Sequence, residues 1–99
     1  MIVVTGTMEL KPEGVEQARA AAIEMMTETR KEAGCYVYEF SQLIENPNCF
    51  RIYEEWESLE HLIAHSKAPH MGVFRASLGE AGVVSRDIVR MEGGEKTAL

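Results

Sequence analysis

The order in which apolar residues change their period along this chain limits its folds more than any other feature. From Ile2 to Leu10 two sets alternate, Ile2, Val4, Gly6, Met8 and Leu10 against Val3, Thr5, Thr7 and Glu9, which is the period-two signature of a strand. Pro12 suits the first turn of a helix, and Val15, Ala18, Ala22, Met25, Met26 and Ala33 then recur at helical spacing. The helix is expected to end near Gly34, because glycine takes the left-handed closing conformation without a Cβ clash. Cys35 to Ile44 is rich in aromatic and β-branched residues, with Tyr36, Tyr38 and Phe40 expected on one side, and Glu45-Asn46-Pro47-Asn48 reads as a loop. Cys49 to Glu57 alternates again, setting Phe50, Ile52, Glu54 and Trp56 on one face and Arg51, Tyr53 and Glu55 on the other. The hairpin register is left open, since it depends on the loop being odd or even. Ser58 is a suitable N-cap for a helical piece carrying Leu59, Leu62 and Ile63. Pro69 then interrupts that piece and restarts a second one, with Val73, Phe74, Ser77 and Leu78 on one side. Gly79 and Gly82 lead out towards a last strand, Val83 to Met91.

This order predicts an α+β domain of the ferredoxin-like βαββαβ kind over residues 1–92, with a four-stranded antiparallel sheet and the helices on one face. A C-terminal tail, residues 93–99, is expected either loose or lying across a partner subunit. The uncovered sheet face is the informative one. Val3, Thr5 and Thr7 lie on it, and the last strand is apolar on both sides, Val84 and Ile88 against Val83, Val89 and Met91. Helices cover only one of those faces, so face-to-face packing with a second copy, a homodimer, is expected. With 99 residues there is room for a single modest core, which association would extend.

Composition narrows the function. A chain that is 45% hydrophobic and 26% charged is an ordinary globular domain, and its net charge of −6 with ten scattered Lys and Arg residues argues against a nucleic-acid partner. No apolar stretch approaches the ~20 residues that span a bilayer, and no basic leader precedes the first strand, so no membrane role and a cytoplasmic location are expected. Cys35 and Cys49 open the two strands of one hairpin and should lie too far apart for a disulfide. Phosphate loops, dinucleotide fingerprints and paired Cys ligands are all missing. Redox chemistry would therefore need a substrate that supplies its own electrons.

All three histidines and the only tryptophan fall between Glu54 and Met71. Histidine titrates near neutrality, so this run is a credible proton-transfer site, although a surface or helix-capping role is the commoner fate of each imidazole. His61 and His65 have metal-ligand spacing on a helix, but no short motif supplies a third ligand, so no metal is expected and His61 is read as solvent-facing. Glu54 shares a face with Phe50, Ile52 and Trp56, which places a carboxyl in apolar surroundings where its pKa rises. It reads either as a buried acid or base hydrogen-bonded to His65, or as a structural ion pair. Tyr36, Tyr38, Phe40, Trp56, Met71 and Phe74 are core by default and otherwise line a cavity for a flat apolar ligand.

The run Tyr53-Glu54-Glu55-Trp56-Glu57-Ser58, then His61-Leu62, Ala64-His65 and Pro69-His70-Met71, with Gly34-Cys35 and Tyr38 upstream, resembles the antibiotic biosynthesis monooxygenase family, its quinol monooxygenase members included. The resemblance implies a dimeric α+β barrel and oxygenase chemistry without flavin, haem, metal or any other cofactor, on a small aromatic hydroquinone or polyketide-like substrate. On that reading His65 is the proton acceptor and Glu54 its orienting or proton-holding partner. Trp56, Met71 and Phe74 wall the cavity, Tyr38 and His70 join the substrate-binding set, and His70 alternatively fixes the helix break. Gly6 and Arg75 stand where haem-degrading relatives carry asparagine and histidine, which disfavours haem degradation. Two other readings remain open, an isomerase of a small dicarbonyl compound and a ligand-binding stress-response dimer without turnover. Only Lys67 and Arg75 adjoin the histidines, which weighs against a phosphorylated substrate.

Overall fold

A computed structural model describes Met1–Leu99. Its elements run β1 (Ile2–Leu10), a short 3-10 turn (Pro12–Gly14), α1 (Val15–Thr29), β2 (Cys35–Leu43), β3 (Asn46–Trp56), α2 (Leu59–Ser66), α3 (Pro69–Ala81) and β4 (Val83–Glu92). The strands form one antiparallel sheet in the order β2-β3-β1-β4. This is the ferredoxin-like α+β fold that the alternating periods require, with the second helical segment split at Pro69. Ser58 caps α2 by accepting the His61 backbone N–H, Pro69 opens α3 at its first turn, and Gly82 closes it at φ 92°. No helix is long and apolar enough to cross a membrane.

The core lies between the helices and one face of the sheet. Ala22 and Met25 of α1, Tyr38, Ile52 and Trp56 of the sheet and Phe74 of α3 form one buried cluster. Met8, Leu10, Ala18, Phe50 and Ala81 form a second. At Gly6, β1 runs so close to β4 that a Cβ would collide with the Asp87 carbonyl oxygen and Ile88 Cα.

Two boundaries and one side-chain placement differ from expectation. Helix α1 stops at Thr29, and residues 30–34 turn instead of continuing the helix to Ala33. The expected loop Glu45–Asn48 shrinks to a turn at Ile44 and Glu45, because β3 begins at Asn46. Pro47 is tolerated there: the register shifts between Gln42 and Leu43, and β1 pairs with β3 only from Cys49 onward, so no ladder needs its missing N–H. Tyr36 does not share a side with Tyr38 and Phe40. A bulge between Cys35 and Val37 leaves Tyr36 57% exposed while Cys35 packs on the core.

The opposite sheet face, carrying Val3, Val37, Tyr53, Glu55, Val89 and Met91, has no helix over it. The tail doubles back onto this face, with the Gly93 N–H donating to the Met1 carbonyl (2.9 Å) and Lys96 Nζ 2.6 Å from Glu55. Glu55 is consequently only 3% exposed, and it also accepts the Tyr53 hydroxyl at 2.6 Å. Val89 and Met91 stay about half exposed. The two cysteines are free, one opening β2 and the other paired with Glu9 of β1.

Candidate active site

The β2–β3 register pairs Tyr38 with Glu54 and Phe40 with Ile52. Directly paired residues share a face, so Glu54 points to the helices together with Tyr38 and Trp56. Glu54 is 7% exposed and Trp56 fully buried, and the indole Nε1–H donates to Glu54 Oε1 at 2.8 Å. Burial pushes the Glu54 carboxyl up to about 7, with the indole hydrogen bond opposing the rise and the nearby Glu32 carboxylate adding to it. Burial likewise raises the Tyr38 hydroxyl, helped by Glu54, and raises the Cys35 thiol, helped by Glu32 and Glu54. Both groups are held in their neutral forms at neutral pH.

His65, in the last turn of α2, is 1% exposed and sits in an aromatic box. Trp56 lies 4.8 Å away centroid to centroid, tilted by 33°, and Tyr38 meets the ring edge-on at 5.4 Å. Its hydrogen-bond partner is Glu32, at 2.7 Å from Nδ1, and the Glu54 pairing expected from sequence is not formed. The physical reason lies in the turn after α1. Because the helix stops at Thr29, the chain brings Glu32 across the end of the core, while Glu54 is already taken by the indole on its own strand.

Glu32 also binds His70. The same oxygen, Oε2, is 2.8 Å from His70 Nε2, so one carboxylate oxygen accepts from two imidazoles. That pattern assigns the proton of His65 to Nδ1 and that of His70 to Nε2, leaving His65 Nε2 and His70 Nδ1 with free lone pairs. His65 Nε2 is buried without a partner. Burial lowers the His65 pKa against the opposing pull of Glu32, which keeps the ring neutral at neutral pH. The side chains of His70 and Glu32 remain 23% and 18% exposed, so His70 is the imidazole that solvent reaches.

The remaining expected residues divide. Phe74 is buried and stands 5.4 Å from Phe40 in a tilted ring contact, and Met71 packs on the edge of the same cluster. His61 lies outside the group: its Nδ1 is 2.7 Å from Ser58 Oγ and its Nε2 3.5 Å from Glu57, so the His61–His65 pair does not converge. Gly34 makes room for that ring, since its φ is 78° and a Cβ there would strike the imidazole. Two clefts flank α1. One of about 80 Å³ runs between α1 and α3, lined in part by Met25, His70 and Phe74. The other, of about 240 Å³, lies between α1 and the sheet and is lined in part by Met26, Phe40 and Phe50. Neither of these two is lined by His65 or Glu54, and His70 is the member of the Glu32 group that reaches the first.

Glu32 is the site residue that sequence reasoning missed. It sits in a turn outside any period or motif, and the one available signal was indirect: a histidine on the buried side of a helix needs a polar partner from elsewhere in the chain.

Comparison with known proteins agrees with this architecture. The crystal structure of a "putative antibiotic biosynthesis monooxygenase" from Deinococcus radiodurans superposes with a TM-score of 0.93 at 26% identity, covering 100% of this chain and 98% of that one. Rv0793 from Mycobacterium tuberculosis shares the fold, with a TM-score of 0.88 at 23% identity and 98% of each chain covered. The "Putative monooxygenase YcnE" of Bacillus subtilis is 27% identical over 96% of this chain and 100% of its own length. A Synechocystis protein, sll1783, is 30% identical over 74% of this chain, which spans half of that longer protein. The profile of the antibiotic biosynthesis monooxygenase family matches residues 1–77, and the chain therefore belongs to that family.

Proposed function

We propose that this protein is a cofactor-independent monooxygenase that inserts one oxygen atom of O2 into a small aromatic hydroquinone. The observation that carries the reading is the carboxylate shared between two imidazoles, one buried among aromatic rings and one open to a cleft. The relative named a monooxygenase supports the reaction type. A phenolic hydroxyl placed against His70 Nδ1 loses its proton to that nitrogen, while Glu32 steadies the imidazolium through Nε2–H and is itself held by His65. Here His70 is the catalytic base and His65 a positioning residue, which modifies the expectation that His65 meets the substrate. Glu54, poised near neutrality beside Trp56, is the group able to hold or return a proton.

The deprotonated substrate supplies the electrons. It reduces O2 and forms a carbon–oxygen bond, giving a ring hydroperoxide. Loss of the ring C–H proton to base then breaks the O–O bond, and hydroxide leaves as water. Hydroquinone plus O2 becomes hydroxyquinone plus water, with the substrate oxidised by four electrons and no outside reductant. Phe74 and Met71 wall the reacting ring and exclude water.

The protein acts as a homodimer. The half-apolar sheet face bearing Val89 and Met91 supports this, because face-to-face packing with a second sheet would bury it.

Oxygen uptake with a panel of hydroquinones tests the proposal, with 18O2 delivering one labelled atom to product and one to water. His70→Ala and Glu32→Gln should each slow turnover by about 10²-fold or more. Proton exchange into a dicarbonyl compound without oxygen uptake would select the isomerase instead. Tight binding of an aromatic recovered unchanged would select a binding protein.

A further inference from the structure

We propose that Glu32, His65 and His70 also form a three-ligand site for a divalent transition metal of the zinc or cobalt kind. The three ligand atoms lie within 4.8 Å of one another. Two neutral imidazoles and a carboxylate are donors that such ions take, with a fourth position left for water. His65 and His70 are separated by four residues, within the three-to-five spacing common in zinc sites. Here the spacing works across a helix break, with His65 ending α2 and His70 beginning α3.

An ion would draw the three donors into one shell. A tetrahedral ion with bonds of about 2.0–2.1 Å keeps its donor atoms about 3.3 Å apart. The two nitrogens now stand 2.7 and 2.8 Å from Glu32 Oε2, so each would separate from it by about half an ångström, while the nitrogens themselves, within 4.8 Å of each other, would close by up to about 1.5 Å. Glu32 can withdraw that far, because it sits in the turn between α1 and β2 and its retreat disturbs no helix or strand ladder. The ion would take lone pairs on His65 Nδ1 and His70 Nε2, so each ring passes its proton to its other nitrogen; the two hydrogen bonds to Glu32 are lost, and His65 Nε2, which has no partner, becomes a buried N–H. The partial exposure of Glu32 and His70 leaves a route in from solvent. A metal seated there would hold the groups that the proton transfer uses, so the two uses exclude each other.

Titration of the metal-free chain with Co(II), followed by visible d–d absorption, tests the site. Zn(II) calorimetry gives the stoichiometry. One equivalent per chain with tetrahedral or five-coordinate bands is expected. Glu32→Gln and His70→Ala, both partly exposed positions, should weaken binding by more than the 10–100-fold that loss of an outer partner costs. His61→Ala should leave it unchanged, with circular dichroism confirming that each variant is folded. Absence of the bands, octahedral spectra only, or equal affinity in His70→Ala would overturn the proposal. The readout is spectroscopic, so its failure leaves the oxygen chemistry standing.

Discussion

Replacing Glu54 with glutamine isolates the energetic cost of keeping a carboxyl in the core. The native carboxyl is raised by burial from 4.5 to about 7, whereas in the unfolded chain it titrates at its ordinary value. Between those values unfolding releases a proton, so stability falls as pH rises from the unfolded pKa through the folded one. Below both values the acid is neutral in each state and nothing is lost. At about 1.4 kcal/mol per pKa unit the full penalty is about 3 kcal/mol, present above about pH 7. Glutamine keeps the shape and still accepts the Trp56 indole N–H, but it has no charge to desolvate. Its buried amide hydrogens introduce a cost of about 1–3 kcal/mol that does not vary with pH, so the informative quantity is the pH dependence of the difference. Urea unfolding of both proteins at one fixed concentration, from about pH 4 to about pH 8, should show the glutamine variant gaining about 3 kcal/mol relative to the parent. A difference that stays constant over this range would mean that Glu54 ionises as in water, and the account of a dry proton-holding pocket would fail.

Trp56→Phe keeps a ring in the box but removes the donor that holds the Glu54 pKa down, so the carboxyl should titrate still higher, read by carboxyl carbon NMR shifts. Gly6→Ala forces a methyl against the β4 backbone, which cannot swing aside like a side chain. The loss should be about 1–3 kcal/mol or more in urea, with β4 amides exchanging faster than those of β2. Sedimentation at micromolar concentration should give a particle of twice 11.1 kDa, and a Val89→Asp variant should shift it towards the single chain. A wild-type protein sedimenting only as 11.1 kDa would remove the homodimer.

Element order, the faces of β1 and β3, the Ser58 cap and the break at Pro69 were legible in the sequence, because each follows from local rules: side chains repeat every two or 3.6 residues, and Ser, Pro and Gly have fixed conformational roles. The inward placement of Glu54 beside Trp56 followed from the same alternation. What was not legible depended on backbone irregularity or on distance along the chain. The bulge at Cys35 and Tyr36 reverses which of two adjacent residues is buried, and a period-two pattern has no information about where a strand adds a residue.

The partner of His65 was decided by tertiary structure alone. Alternation put two groups, His65 and Glu54, in one region, and proximity in sequence favoured their pairing. The closed fold instead presents Glu32, in a turn with no periodic signature, to both His65 and His70, 33 and 38 residues further along the chain. The reason is geometric: a hydrogen bond needs two atoms within about 3 Å, and that precision comes from how the end of α1 and the α2–α3 junction meet over the sheet. Local sequence determined which residues face the core, and packing between distant elements determined which of them touch.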